Sequence, residues 1–186
     1  MKKVSVVALV VFAVAYAVFL KVQPKTFRVT RSVVISAAAA EIFPHLNDLR
    51  KAKAWLPWTA SLSPVRVTAQ RDGEYLRWEG LGLVSNGRVT IHERRPPEFV
   101  RLRVVFEHPT GKRYQEWICF ADLTLKPAGN RTEATWTMWG DTHPDAMLLF
   151  FLDNQQQLMG GEFEHALETL KAMVETSAGK RTAALP

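Results

Sequence analysis

The chain has one cysteine, Cys119. An internal disulfide is therefore excluded, and no cysteine–histidine spacing resembles a zinc site. Its neighbours Ile118 and Phe120 are apolar, so Cys119 reads as a buried, inert thiol. The sequence also lacks the Gly-x-Ser-x-Gly elbow, the Gly-x-x-x-x-Gly-Lys phosphate loop and the His-Glu-x-x-His pair. It has no internal repeat. It has no long basic run either, although its net charge is +6. The densest positive group is Lys21, Lys25, Arg28 and Arg31, directly after an apolar N-terminus. That place suits anionic lipid headgroups, and no nucleic-acid partner is expected.

What is present is enough for a core. The apolar fraction is 47% over 186 residues, which fits one domain and an appendage. After Lys2 and Lys3, residues 4–20 carry no charge, the lower edge of a bilayer-spanning length. Ala15-Tyr16-Ala17 has the small-x-small form of a signal-peptidase site. Val18, Phe19 and Leu20 continue the run past it, and Lys21 closes it like a stop-transfer flank. An uncleaved transmembrane anchor over residues 1–21 is expected, with a signal peptide as the alternative. Lys2 and Lys3 favour a cytoplasmic N-terminus, the later cations the reverse, so orientation stays open. Residues 22–26 are a linker around Pro24, 27–177 a domain and 178–186 a flexible tail.

Within the domain, residues 27–36 alternate, with Phe27, Val29, Arg31, Val33 and Ile35 on one face of a strand. Ser36 is placed to cap a short helix whose apolar side is Ile42, Phe43 and Leu46. A second helical piece covers 49–55. Strands are then expected at 65–69, 75–79, 88–94, 99–107, 113–125 and 132–140. Turns fall at Arg71-Asp72-Gly73, 80–87, Arg95-Pro96-Pro97-Glu98, 108–112 and Pro127-Ala128-Gly129-Asn130. Tight turns between consecutive strands give an antiparallel meander with one packed face. Residues 144–177 close the chain as a long amphipathic helix of roughly 45 Å. Leu148, Leu152, Met159, Phe163, Leu167, Leu170 and Val174 lie on one side of it. Pro144 and Asp145 suit its start and Gly179 its stop. The class is α+β.

Several segments, taken in order, carry a resemblance. They are Arg31-Ser32-Val33-Val34-Ile35-Ser36-Ala37, Glu41-Ile42-Phe43-Pro44-His45-Leu46-Asn47-Asp48-Leu49, then Trp55 and Trp58, then Gly87-Arg88-Val89-Thr90-Ile91 and Pro96-Pro97. Thr132-Glu133-Ala134-Thr135-Trp136-Thr137-Met138 and Met159-Gly160-Gly161-Glu162-Phe163-Glu164-His165-Ala166-Leu167 follow. This set resembles the polyketide cyclase/dehydrase-like branch of the SRPBCC (START-like) superfamily. The resemblance implies a helix-grip fold: a curved antiparallel sheet wrapped around a long C-terminal helix, with an elongated apolar cavity between them. It implies hydrophobic ligands such as lipids, sterols or polyketides, cyclase activity in some members, and often an N-terminal membrane segment.

The six tryptophans are the most informative residues. Alternation groups Trp136 with Ala134 and Met138, Trp78 with Leu76, and puts Trp139 on the opposite face. The candidate ligand wall is Trp78, Leu102, Val104, Phe106, Trp117 and Trp136 on strands, with Phe163 and Leu167 on the helix; core packing is the competing role. Gly160 and Gly161 each cost about 1 kcal/mol inside a helix, which points to close approach of a strand or to a kink. Asp141 to Asp145, with His143, reads as a strand-to-helix loop, not a metal site, and His165 as an exposed ion-paired side chain. Glu79, Glu116 and Asp122 point away from the helix by parity, toward solvent. Arg94, Arg95, Arg101 and Arg103 form a basic outer stripe. No catalytic residue, metal or cofactor is assigned. The expected function is membrane-anchored binding or carriage of a hydrophobic small molecule, lipid or isoprenoid-like. The alternatives are a cyclase or dehydratase acting on a polyketide-like substrate, and an interaction module. Oligomeric state is left open.

Overall fold

The computed structural model describes residues 11, 14, 25–57, 66–70, 75–79, 86–110, 113–141 and 155–183. The expected anchor as a whole, Trp58, the turn at residues 71–73, His143 to Asp145, Leu148 and Leu152 lie outside these residues. Among the described residues, no helix is long and apolar enough to cross a membrane.

The order is β1 (Thr26–Ile35), α1 (Ala39–Leu46), α2 (Leu49–Ala52), β2 (Arg66–Gln70), β3 (Tyr75–Glu79), β4 (Asn86–Arg95), β5 (Phe99–Thr110), β6 (Arg113–Ala128), β7 (Arg131–Asp141) and α3 (Gln155–Ala183). The described strands form one antiparallel sheet in the order β1-β7-β6-β5-β4-β3-β2. The alternation of β1 is realised: Phe27, Val29 and Ile35 are buried while Arg28, Thr30 and Ser32 are exposed. A register shift between Ile91 and Glu93 puts a bulge in β4, and bulges bend and twist a sheet. Gly129 takes a φ of 68°, the left-handed turn position that glycine adopts without strain.

Three expectations need correction. Ser36 does not cap α1. The N-cap is Ala38, and Glu41 Oε2 accepts the Ala38 N–H at 3.2 Å. Ser36 instead donates its backbone N–H to Glu175 Oε1 at 2.8 Å, tying the end of β1 to α3. The turn expected over 108–112 is shorter, because β5 and β6 pair out to Thr110 and Arg113. Finally, α3 runs through Gly179 to Ala183, so residues 178–183 are helical. A lone glycine costs only about 1 kcal/mol, which the helix on either side of it outweighs.

The helix lies along β1, parallel to it. Glu164 meets Arg31 at 2.6 Å, and Glu175 meets Ser36 further on. Phe163, Ala166, Leu167, Leu170 and Val174 are buried and Met159 is half-buried, the apolar face read from the spacing. α1 packs against β6 and α2 against β3, so the remaining inner face is covered from those directions. Asp48 caps α2 by accepting Arg50 N–H at 2.9 Å, and Trp55 and Leu56 follow it into the core.

The two helix glycines differ. A Cβ on Gly160 would lie 1.9 Å from Arg31 Nη2, so the guanidinium crosses the helix there on its way to Glu164. A Cβ on Gly161 would meet nothing within 4 Å. The close-approach reading therefore holds for Gly160, and α3 continues through both. Gly161→Ala is expected to add about 0.5–1 kcal/mol of stability, or roughly 1–4 °C in Tm. Gly160→Ala gains the same helix preference but displaces Arg31, and its net change should stay nearer zero. Thermal melts followed by circular dichroism compare the two.

Candidate functional site

Register places the site before any side chain is considered. On the inner face, Phe27, Gly140, Cys119, Val104, Val89 and Leu76 stand abreast on β1, β7, β6, β5, β4 and β3. In the next row Trp117 faces Phe106, Phe106 faces Gly87 and Gly87 faces Trp78. Gly87 has no side chain to stand between its partners. Trp78 therefore lies across it and meets Phe106 edge-on, with ring centroids 5.7 Å apart. Phe106 meets Trp117 at 5.3 Å, and Trp117 meets Phe27 at 5.5 Å. These contacts make one aromatic wall from β3 to β1, backed by Leu102 and Val104, both fully buried. Trp117 keeps partial exposure and donates its Nε1–H to the Asp141 carbonyl at 2.6 Å.

A second group sits where helix meets sheet. Trp136 stacks on Phe163 at 4.9 Å with 9° between the planes. Trp55 meets the edge of Trp136 at 5.5 Å and donates Nε1–H to the His45 carbonyl at 3.3 Å. Leu167 is 1% exposed beside them. The eight residues picked from sequence therefore all face inward but divide into two sets. Trp78, Leu102, Val104, Phe106 and Trp117 form the wall. Trp136, Phe163 and Leu167 bind the helix to the sheet in direct contact.

The outer face holds the charge. Among the described strand residues, the carboxylates Glu79, Glu93, Glu107, Glu116, Asp122, Glu133 and Asp141 all fall on that side of the register. The expectation of a solvated acid is corrected for Asp122, and Glu107, for which none was stated, is held in the same way. Asp122 accepts two bonds from Arg101, at 2.6 and 2.9 Å, and one from Trp139 Nε1 at 3.1 Å. Glu107 is 7% exposed, held by Arg77 at 2.9 Å and Arg88 at 2.6 Å. Arg88 reaches Glu116 as well, at 2.7 Å. The basic stripe is corrected at Arg94: the bulge in β4 sets it opposite inward-facing Val100, where its Nε donates to Asn47 Oδ1 at the end of α1. Arg95 stays outside, 4.2 Å over the Phe99 ring. Alternation gave the face of each acid, though not of Arg94 beyond the β4 bulge. The missing signal was register, which sets Arg101 opposite Asp122 and so converts two solvated charges into a pair.

Cys119 is the inward-facing thiol. It is fully buried, and burial pushes its pKa well up, with the Asp141 charge adding to the effect. A neutral buried thiol is neither a nucleophile nor a metal ligand. Among the described residues no group of three or more His, Cys, Asp or Glu could hold a metal ion. His165 is exposed on α3.

Two tests follow. In Gly87→Ala the new carbon would lie 2.2 Å from Trp78 Cζ2 and 2.5 Å from the Val105 carbonyl oxygen. A loss of about 1–3 kcal/mol is expected in denaturant unfolding. Because the folded thiol pKa is raised, Cys119 contributes nothing to pH dependence below the unfolded thiol's pKa. Above about pH 8.5 the unfolded chain ionises first, and stability falls by about 1.4 kcal/mol per pH unit from this group. Cys119→Ala should remove that part of the slope in unfolding curves measured across alkaline pH.

With the geometry in place, known proteins can be compared. A family model described as polyketide cyclase / dehydrase and lipid transport matches residues 26–175. No curated protein matches the chain. Solved structures do. A protein from Chromobacterium violaceum is 15% identical, covers 82% of this chain and 99% of its own, and superposes with a TM-score of 0.53. A conserved protein from Geobacillus kaustophilus is 13% identical over 81% of this chain and 97% of its own, with a TM-score of 0.57. A Mycobacterium smegmatis protein is 16% identical over 81% and 92%, with a TM-score of 0.54. At these identities the likeness is one of fold.

Proposed function

Because the chain belongs to the polyketide cyclase/dehydrase and lipid transport family, we propose that it binds and carries a hydrophobic small molecule, lipid or isoprenoid-like, between its inner sheet face and α3. Residues 1–21 hold it at a membrane, 22–26 link, and 27–177 carry the ligand. The observation behind this reading is the wall Trp78–Phe106–Trp117–Phe27, continuous across the sheet. Flat apolar rings with few polar atoms among them suit a hydrocarbon or a fused-ring ligand. Trp136, Phe163 and Leu167 form the floor on which the ligand's far end rests. Binding is favoured over acid–base catalysis by the outward turn of the strand carboxylates onto arginines, and by a neutral Cys119.

The test is native mass spectrometry of the full chain released from mild detergent. A bound small molecule is expected that dissociates in organic solvent. Phe106→Ala with Trp117→Ala should lower its occupancy at least about tenfold, since each truncation removes more than about 1 kcal/mol of apolar contact. A clean protein mass, with no uptake from a lipid extract, would refute the carrier. Conversion of a bound compound to one of altered mass would establish the cyclase or dehydratase reading instead.

A further inference from the structure

One row on the outer face serves neither the core nor the ligand wall. Arg28 of β1 stands opposite Trp139 of β7, Trp139 opposite Phe120 of β6, and Phe120 opposite Arg103 of β5. The two rings stack at 5.0 Å with 25° between planes, and both keep partial exposure. His92, in the β4 bulge, comes within 5.5 Å of Phe120. Ile118, the next outward residue of β6, is 39% exposed, a large apolar side chain left in water. The row is thus a stacked aromatic pair with an arginine at each end and an isoleucine beside it. The nearby acids are engaged: Asp122 with Arg101 and Trp139, Glu116 with Arg88. Asp141 stands at the end of β7.

The position of the row suggests what covers it. Arg28 lies near the start of β1. Residues 21–25 separate that strand from the uncharged run, and they include Lys21, Pro24 and Lys25. Fully extended, such a tether reaches at most roughly 20 Å. A domain held that closely rests with this end against the headgroup layer. Tryptophan and arginine are the side chains suited to that layer: an amphipathic ring at the boundary and a cation among anionic heads.

We infer that the outer face around Trp139 and Phe120 docks on a bilayer surface bearing anionic headgroups. Arg28 and Arg103 meet the headgroups; Trp139, Phe120 and Ile118 reach the acyl boundary. The inference rests on residues 4–20 being held in the membrane. Val34, 37% exposed on the same face, lies about 20 Å further along β1 and stays in water.

The test uses the full chain with Ile118→Cys or Val34→Cys, labelled with a polarity-sensitive dye; buried Cys119 stays unlabelled in the folded protein. The labelled protein is reconstituted into phosphatidylcholine vesicles with and without phosphatidylglycerol. Flotation reports the anchor, and the dye reports the face. With phosphatidylglycerol, the Ile118 dye should shift to the blue and be quenched by nitroxide lipid, while the Val34 dye stays quenched by aqueous iodide. Arg28→Gln with Arg103→Gln should leave flotation unchanged and lower the docked-to-undocked ratio by roughly thirtyfold, about fivefold for each arginine. Equal iodide quenching at both positions in floating protein overturns the docking and leaves the anchor standing. Protein that fails to float overturns both.

Discussion

The contact on which the architecture depends is the stack of Trp136 on Phe163. It lies where the closing strand β7, the helix α3 and the turn carrying Trp55 converge. A sheet with one apolar face is stable only if something covers it. Here one nearly parallel ring pair fixes the helix height over the sheet, and Arg31–Glu164 and Ser36–Glu175 fix its direction along β1. Gly160 follows from this closeness, because the Arg31 guanidinium occupies the space a side chain would need.

From that cover comes a division of labour between the faces. Inward are rings, aliphatic side chains and a neutral thiol. Outward are carboxylates locked to arginines in chains such as Arg77–Glu107–Arg88–Glu116. Exposed ion pairs contribute little individually, but Glu107 is nearly buried and has two arginine partners. Its role is to let a charged residue sit on a crowded sheet surface at small cost.

Much of this was legible from residue order. The two-residue period gave the faces of β1, β5 and β7, and the helical period gave the buried side of α3 from Phe163 to Val174. The family resemblance gave the fold that the family model supports. What alternation cannot express is which residue stands opposite which. The pairing of Arg101 with Asp122, and of Trp78 with Phe106 across Gly87, depends on register, set by loop lengths and the β4 bulge. The cap at Ala38 was missed for a related reason: the Ser36 backbone N–H bonds the distant Glu175, and the helix begins two residues later. The stop at Gly179 failed because one unfavourable residue does not outweigh the helix on both sides of it.

The topology has one more outcome. β1, the first strand, is hydrogen-bonded to β7, the last, from Thr26 with Asp141 to Ile35 with Thr132, and it is also the bed of the terminal helix. Its partners therefore leave the ribosome long after it does. During synthesis β1 cannot pair with β7 until residues 131–141 have been made, so this closure is a long-range event of the slow kind. Until then the backbone edge of β1 that β7 will cover stays open, the kind of edge that invites pairing with another chain.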